Sequence, residues 1–297
     1  DQLIEIDSPR WRKSPLARAT AKEIRSTIAR IKNPLGDAPD IAIDFQGLLK
    51  SGLVAFASGA KRRVGFCSSD LRERASRIFL TEQAATADKQ HVIEKNLALA
   101  RAALDVEMDD SLEYEFLIAV SIEDEEFAAN EASLSGSGFA IINPGGGWKT
   151  KLWEAERYGQ IADWLRKEVG LSSIVTFGPG EENLAQAVVT YSRTGAARMV
   201  TSTLKQFVAL ARRAALFVGG DTGPLHLAAA AGAPIVGLYG PTSPLRNGPF
   251  DQRDITVGLD LWCRTDCHRR TCWHWQCMDI GLSEVQRAIL KRLENTK

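Results

Sequence analysis

The stretch FVGGDTGPLHLAAAAGAPIVGLYGPTSP, residues 217–244, decides the fold. Its first apolar run reads as a buried strand ending at the glycines. GGDTGP follows as a turn, and LHLAAAAGA as a short helix with Pro224 suited to the first helical position and Thr222 or Gly223 to the cap. PIVGLYG is a second strand and GPTSP a second turn. A strand, a helix and another strand in this order make a unit whose strands run parallel.

The same alternation extends toward the N-terminus. FAIINP (139–144) is a strand followed by a run of glycines, then a helix from about 153 to 169. SSIVTF (172–177) is the next strand, followed by GPGEEN and another helix, and a helix over 204–214 precedes the opening stretch. Repeated units of this kind predict an α/β fold with a parallel sheet wrapped by helices. Ligands of such sheets sit at the C-terminal ends of the strands. The three glycine turns all fall at such ends and are expected to converge on one site.

Upstream, 14–32 is a basic amphipathic helix stopped by Asn33-Pro34, IAIDF (41–45) a strand, and QGLLKSGLVAFASG a helix closing on Gly59. KRRVGF (61–66) reads as a strand entered through three cations, and 88–104 as a helix. The acidic, then small-residue run 121–138 suits a connection between two domains. LSEVQRAILKRLEN (282–295) is an amphipathic final helix. At 297 residues the chain has room for two domains, and 37 cationic residues against 37 acidic ones give no charge argument for a nucleic-acid partner. Apolar runs such as 235–239 are far too short to span a bilayer. The opening DQLIEIDSPRWRK has no apolar segment of signal-peptide type.

Each turn offers a chemical and a plain structural reading. In NPGGGWKTKLW (143–153) consecutive glycines let a ligand approach the backbone, and Lys149 and Lys151 suit a phosphate; otherwise they are solvated lysines on a flexible turn. Glu181 and Glu182 either bind ribose hydroxyls or complement a helix dipole. In GGDTGPLHL the helix N-terminus suits phosphate and Asp221 sugar hydroxyls, while His226 reads as structural. No strand is followed by GxGxxG, which makes a dinucleotide-dependent dehydrogenase a poor fit.

The run GGDTGPLHLAAAAGAPIVGLYGPTSP, together with SPRWRK (8–13), IDFQGLLKSG (43–52) and KQHVIEKN (89–96), closely resembles glycosyltransferase family 9, the ADP-heptose:lipopolysaccharide heptosyltransferases. Within the family it is most similar to the heptosyltransferase I branch, which adds the first heptose to Kdo of the lipid A inner core. The resemblance covers nearly the whole chain. It implies a GT-B fold: two Rossmann-like domains with parallel sheets and an inter-domain cleft. The expected division is an acceptor-binding domain over 1–134, a nucleotide-sugar domain over 135–281, and a helix over 282–297 packing back toward the first domain.

The implied reaction is inverting transfer of heptose from ADP-heptose to lipid A-Kdo, by a cytoplasmic enzyme peripheral to the inner face of the bacterial inner membrane. Carried over by motif, Gly146, Gly147, Lys151, Glu181, Asp221, Thr222 and Gly223 bind the donor, with Lys151 stabilising the leaving diphosphate. Gln46, Lys50, Lys61, Arg62 and Arg63 are the implied acceptor contacts. No cofactor is required. The family's base, an Asp on a Gly-Asp loop after the first strand, has no counterpart before Ile41 and is expected upstream of residue 1; Asp44 reads as structural. Two alternatives stay open: a family 9 transferase with another nucleotide sugar or acceptor, and a donor-binding module inactive without its base.

Four of the five cysteines, Cys263, Cys267, Cys272 and Cys277, are separated by three, four and four residues. In a reducing compartment this reads as a cluster of structural thiols with no catalytic metal, though the spacing also admits a zinc site or disulfides.

Overall fold

The structure is a computed structural model that describes residues 3–6, 13, 17–32, 38–86, 90–107, 114–263, 267 and 269–295. Most of the SPRWRK motif, the start of the helix expected from residue 14, Asn33-Pro34, Asp88-Lys89 and His268 lie outside the described residues. The chain divides into two compact units, Asp1–Leu112 and Glu113–Lys297.

In the first unit, α1 (Arg18–Lys32) precedes β1 (Ile41–Asp44), α2 (Leu49–Ala57), β2 (Arg62–Phe66), β3 (Glu82–Ala84) and α3 (Val92–Leu104). The three strands are parallel in the order β1-β2-β3. Val64, Phe66, Leu71, Ala84, Leu99 and Ala103 form its core. β3, only Glu-Gln-Ala, carries no apolar run and escapes a reading of the sequence; its register is fixed partly by Arg62, which reaches across from β2 to grip the Glu82 carboxylate with two bonds of 2.9 Å. A cavity of about 720 Å³ lies between α1, β1 and α2, walled by Ile24, Ile28, Ile31, Ile43 and Val54.

The second unit opens with α4 (Ile122–Ser133) and continues β4 (Phe139–Asn143), α5 (Ala155–Trp164), β5 (Ser172–Thr176), α6 (Glu182–Tyr191), β6 (Ala197–Val200), α7 (Leu204–Ala211), β7 (Leu216–Gly220), α8 (Gly223–Ala230), β8 (Ile235–Leu238), the single turn α9 (Pro244–Asn247), β9 (Ile255–Val257) and α10 (Leu282–Glu294). Its six strands are all parallel, ordered β6-β5-β4-β7-β8-β9. Side chains alternate across the sheet, as the strand repeat requires. Ala140 and Ile142 of β4 face a core layer shared with α5, α6 and α10, whereas Phe139 and Ile141 face a layer shared with α4, α7 and α8. Helices therefore cover both faces. Strand order runs outward in opposite directions from β4 and β7, and ligands bind such sheets at the crevice where that reversal occurs.

One expectation is corrected. The run 121–138 is mostly helix rather than linker, because Ser121 and Asp124 form a reciprocal cap and acidic residues fill the first turn. That helix is held to the second unit: Arg198 of β6 bonds Glu131, and Arg212 and Arg213 bond Glu125. The two compact units divide at Leu112–Glu113, and α4 lies in the second of them. In α10, Val285, Ala288 and Ile289 join the core of the second unit beside Val236 and Leu238. Arg292, 4% exposed at its side chain, closes a 2.7 Å ion pair on buried Asp254, which also accepts the Ile235 N–H. No helix among the described residues is long and apolar enough to cross a membrane.

Candidate functional site

Four turns leave the C-terminal ends of β4, β5, β7 and β8, and side chains tie them together. After β4, Pro144 and the glycines lead to a single helical turn at Lys149–Lys151. Lys151, 15% exposed at its side chain, donates to the Asp221 carboxylate at 2.6 Å and to the Asp221 carbonyl at 2.9 Å. This links the β4 turn to the β7 turn across the switch point. Glu181, after β5, accepts the Gly146 N–H at 2.9 Å on one oxygen and the Gly178 N–H at 2.9 Å on the other. Gly145 must be glycine for this contact, since a Cβ there would lie 2.1 Å from the Glu181 carboxylate.

Asp221 is the hub. Its carboxylate, 3% exposed, accepts from Lys151 and from Thr242 (2.6 Å) on one oxygen, and from Asn247 (2.7 Å) and His226 (3.2 Å) on the other. A carboxylate offers about four acceptor sites, so these donors fill it. Burial alone would raise its pKa, but the bonds from His226, Lys151 and Thr242 outweigh that and hold it well below the usual carboxylate range. Behind Asn247, the Tyr239 hydroxyl donates to the Asn247 carbonyl at 3.0 Å. Burial, reinforced by the nearby Asp221 charge, pushes the Tyr239 phenol far up, so it remains a donor.

The N-terminus of α8 completes the site. Thr222 sits at its cap position with no side-chain cap bond; the hydroxyl turns instead to the Gly220 carbonyl at 3.3 Å. Pro224 follows in the first turn, and Gly223 has open space where a Cβ would be. A helix start without a side-chain cap is a place for an anion. Gly147 is exposed and equally open. Beside it two cations lie over the Trp148 ring, Lys151 at 4.7 Å and Arg270 at 5.4 Å from its centroid.

The expected donor residues Gly146, Gly147, Lys151, Glu181, Asp221, Thr222 and Gly223 thus lie on the turns that meet at the switch point, where two of them also have protein partners. Asp221 is satisfied by protein donors, and the Gly146 amide is taken by Glu181. His226, read as structural, is 43% exposed at its side chain and oriented by Asp221. Thr242 and Asn247 escaped the reading altogether, although Thr242 belongs to the quoted YGPTSP turn. The signal was available: a polar residue in a turn after a buried strand is at the ligand end of the sheet.

The expected acceptor residues divide. Arg62 is committed to Glu82 and Asp105. Arg63 donates to the Phe79 and Ala60 carbonyls and lies over Phe56, so both arginines are building the first unit. Gln46 and Lys50 are exposed at the rim of the cavity, and Lys61 is exposed. Asp44 is buried and caps its own turn, accepting from the Gln46 and Gly47 amides and from Ser51. All five cysteines are free thiols. Burial, with Cys267, Cys263 and Cys272 nearby, raises the Cys277 thiol. No group of three or more His, Cys, Asp or Glu among the described residues is arranged to hold a metal ion.

Over residues 28–275 the chain matches the family described as glycosyltransferase family 9 (heptosyltransferase). It is 27% identical over 273 residues to lipopolysaccharide heptosyltransferase 1 of Pseudomonas aeruginosa, covering 91% of this chain and 73% of that one. It is 25% identical over 243 residues to the lipopolysaccharide core heptosyltransferase OpsX of Haemophilus influenzae, covering 80% and 67%. Among solved structures, the E. coli heptosyltransferase WaaC with ADP-2-deoxy-2-fluoro heptose aligns with TM-score 0.70 at 19% identity, over 100% of this chain and 84% of that one. The family 9 glycosyltransferase of Veillonella parvula aligns with TM-score 0.72 at 21% identity, over 91% and 78%. At these identities the structural matches speak for the fold, which is GT-B.

Proposed function

The chain belongs to glycosyltransferase family 9, and from that premise we propose that it transfers heptose from ADP-heptose to the Kdo region of the lipopolysaccharide inner core, with inversion and without a metal. The reading places it in the cytoplasm, at the inner face of the bacterial inner membrane. The observation that carries it is the meeting of turns at the switch point of the second sheet, with Lys151 fixed there by Asp221.

In this reading the acceptor hydroxyl gives its proton to a general base as its oxygen attacks the anomeric carbon, the bond to the diphosphate breaks, and ADP leaves with the electron pair. Negative charge grows on the diphosphate, and fixed donors that need no rearrangement stabilise it best. An ammonium group has three donors; Asp221 takes two of those of Lys151, leaving one for a phosphate oxygen. The uncapped start of α8 and the open Gly147 backbone supply further amides. Asp221 then acts chiefly as a positioning residue for Lys151 and His226. Glu181 holds the glycine turns in register and turns to the adenosine ribose when donor arrives. Gln46, Lys50 and Lys61 are the acceptor contacts this reading retains.

The experiment is a transfer assay with ADP-heptose and Kdo-lipid A, read by mass spectrometry, with and without chelator. Product one heptose heavier, formed equally in chelator, is expected. Turnover with a UDP- or GDP-sugar instead would replace the donor, and loss of transfer in chelator would overturn the metal-free mechanism.

A further inference from the structure

Beyond the donor turns, the segment before α10 carries a surface of unusual composition. Trp262 is 90% exposed and Trp273 89%, and Trp275 is exposed by 41%. Large aromatic side chains seldom stand in water without a partner, and tryptophan is the residue most enriched where water meets lipid. Arg269 and Arg270 are exposed among them. Trp275 has a backbone φ of 44°, a left-handed conformation costly for a bulky residue.

This surface is fixed to the body of the second unit. Cys277 and Met278 are buried, and Met278 packs so closely on Gly240 that a Cβ there would meet its sulfur at 2.4 Å. Thr150 donates to the Arg269 carbonyl at 2.7 Å, and the Arg270 guanidinium lies over Trp148. The patch therefore adjoins the turn that carries Lys151.

We propose that Trp262, Trp273 and Trp275, with Arg269 and Arg270, form a surface that docks on an anionic lipid bilayer, the indoles entering the headgroup region and the arginines meeting lipid phosphates. The charge match selects this occupant: indoles alone would suit any apolar partner, but indoles interleaved with guanidinium groups fit an interface that is apolar below and anionic above. The purpose of the surface rests on the lipid-linked acceptor of the reading above. Seating the patch on the membrane brings the donor turn to the plane in which that acceptor lies.

The test compares the full chain with a Trp262→Ser/Trp273→Ser variant and with Arg269→Glu, using sedimentation with vesicles of phosphatidylcholine alone and of phosphatidylcholine mixed with phosphatidylglycerol. The wild type is expected to sediment with the mixed vesicles and to shift its indole emission to the blue. The double variant loses about tenfold or more of that partitioning, as burial of indole area implies, with an unchanged circular dichroism spectrum. Arg269→Glu weakens binding to the mixed vesicles only. Equal sedimentation of the double variant and wild type overturns the proposal. So does concentration-dependent self-association in the absence of lipid that the double variant abolishes, because the surface would then receive a second copy. Turnover of a Kdo acceptor stripped of acyl chains should be the same in the double variant and the wild type. Absence of that turnover in the wild type would overturn the heptosyltransferase reading and leave the vesicle result standing.

Discussion

At the scale of single residues, Asp221 decides how the site responds to pH. Its pKa is lower folded than unfolded, so the stability it contributes is fully present above the ordinary carboxylate value of about 3.9. That contribution is lost as pH falls from there through the lower folded value. Denaturant titrations of wild type and Asp221→Asn should therefore differ most near neutrality and converge in strong acid; a constant difference would mean that the carboxylate charge is irrelevant. Gly145 makes a second residue-scale prediction. In Gly145→Ala the new Cβ meets the carboxylate end of the Glu181 side chain, which must swing off the glycine turns while the fold keeps its stability. Calorimetry should show weaker ADP-heptose binding in that variant, and unchanged binding would remove Glu181 from the donor site. These residues were only partly legible in the sequence. The turns and their location followed from strand ends and glycines, but which donor meets which carboxylate depends on side chains brought together from four separate turns.

Among the elements, α10 shows what pattern can and cannot supply. Its amphipathic repeat predicted a helix over 282–295, and the structure has one over Leu282–Glu294. The repeat identifies the face that is buried without identifying what covers it, and the partner proved to be the second unit's own sheet. Arg292, a cation near the end of that helix, is buried against Asp254. Arg292→Leu strands that carboxylate and should cost about 3–5 kcal/mol of unfolding free energy, measured by denaturant titration. A change below about 1 kcal/mol would place the pair among exposed bridges of little worth. α4 teaches the complementary lesson. Its acidic run resembles a solvated linker by composition, yet the Ser121–Asp124 cap and the arginines paired with Glu125 and Glu131 give Asp124, Glu125 and Glu131 a reason to be in a helix.

For the molecule as a whole, the fold was legible because buried parallel strands are continuous apolar runs with glycine turns at their ends. The six-stranded sheet adds to them β6 and β9, which the reading of the sequence did not pick out. The family match spans residues 28–275 and so joins both units in one enzyme class. The central claim is that the turns at the β4–β7 switch point hold the nucleotide sugar, with Lys151 as the group poised on the diphosphate. The most direct measurement is calorimetric titration of ADP-heptose, UDP-glucose and GDP-mannose into the wild type and into Lys151→Met. The account predicts binding of ADP-heptose in preference to the other two, weakened at least about tenfold in the variant by loss of a charge-assisted hydrogen bond. Equal affinity for ADP-heptose in wild type and variant, or no preference for it, would contradict the claim.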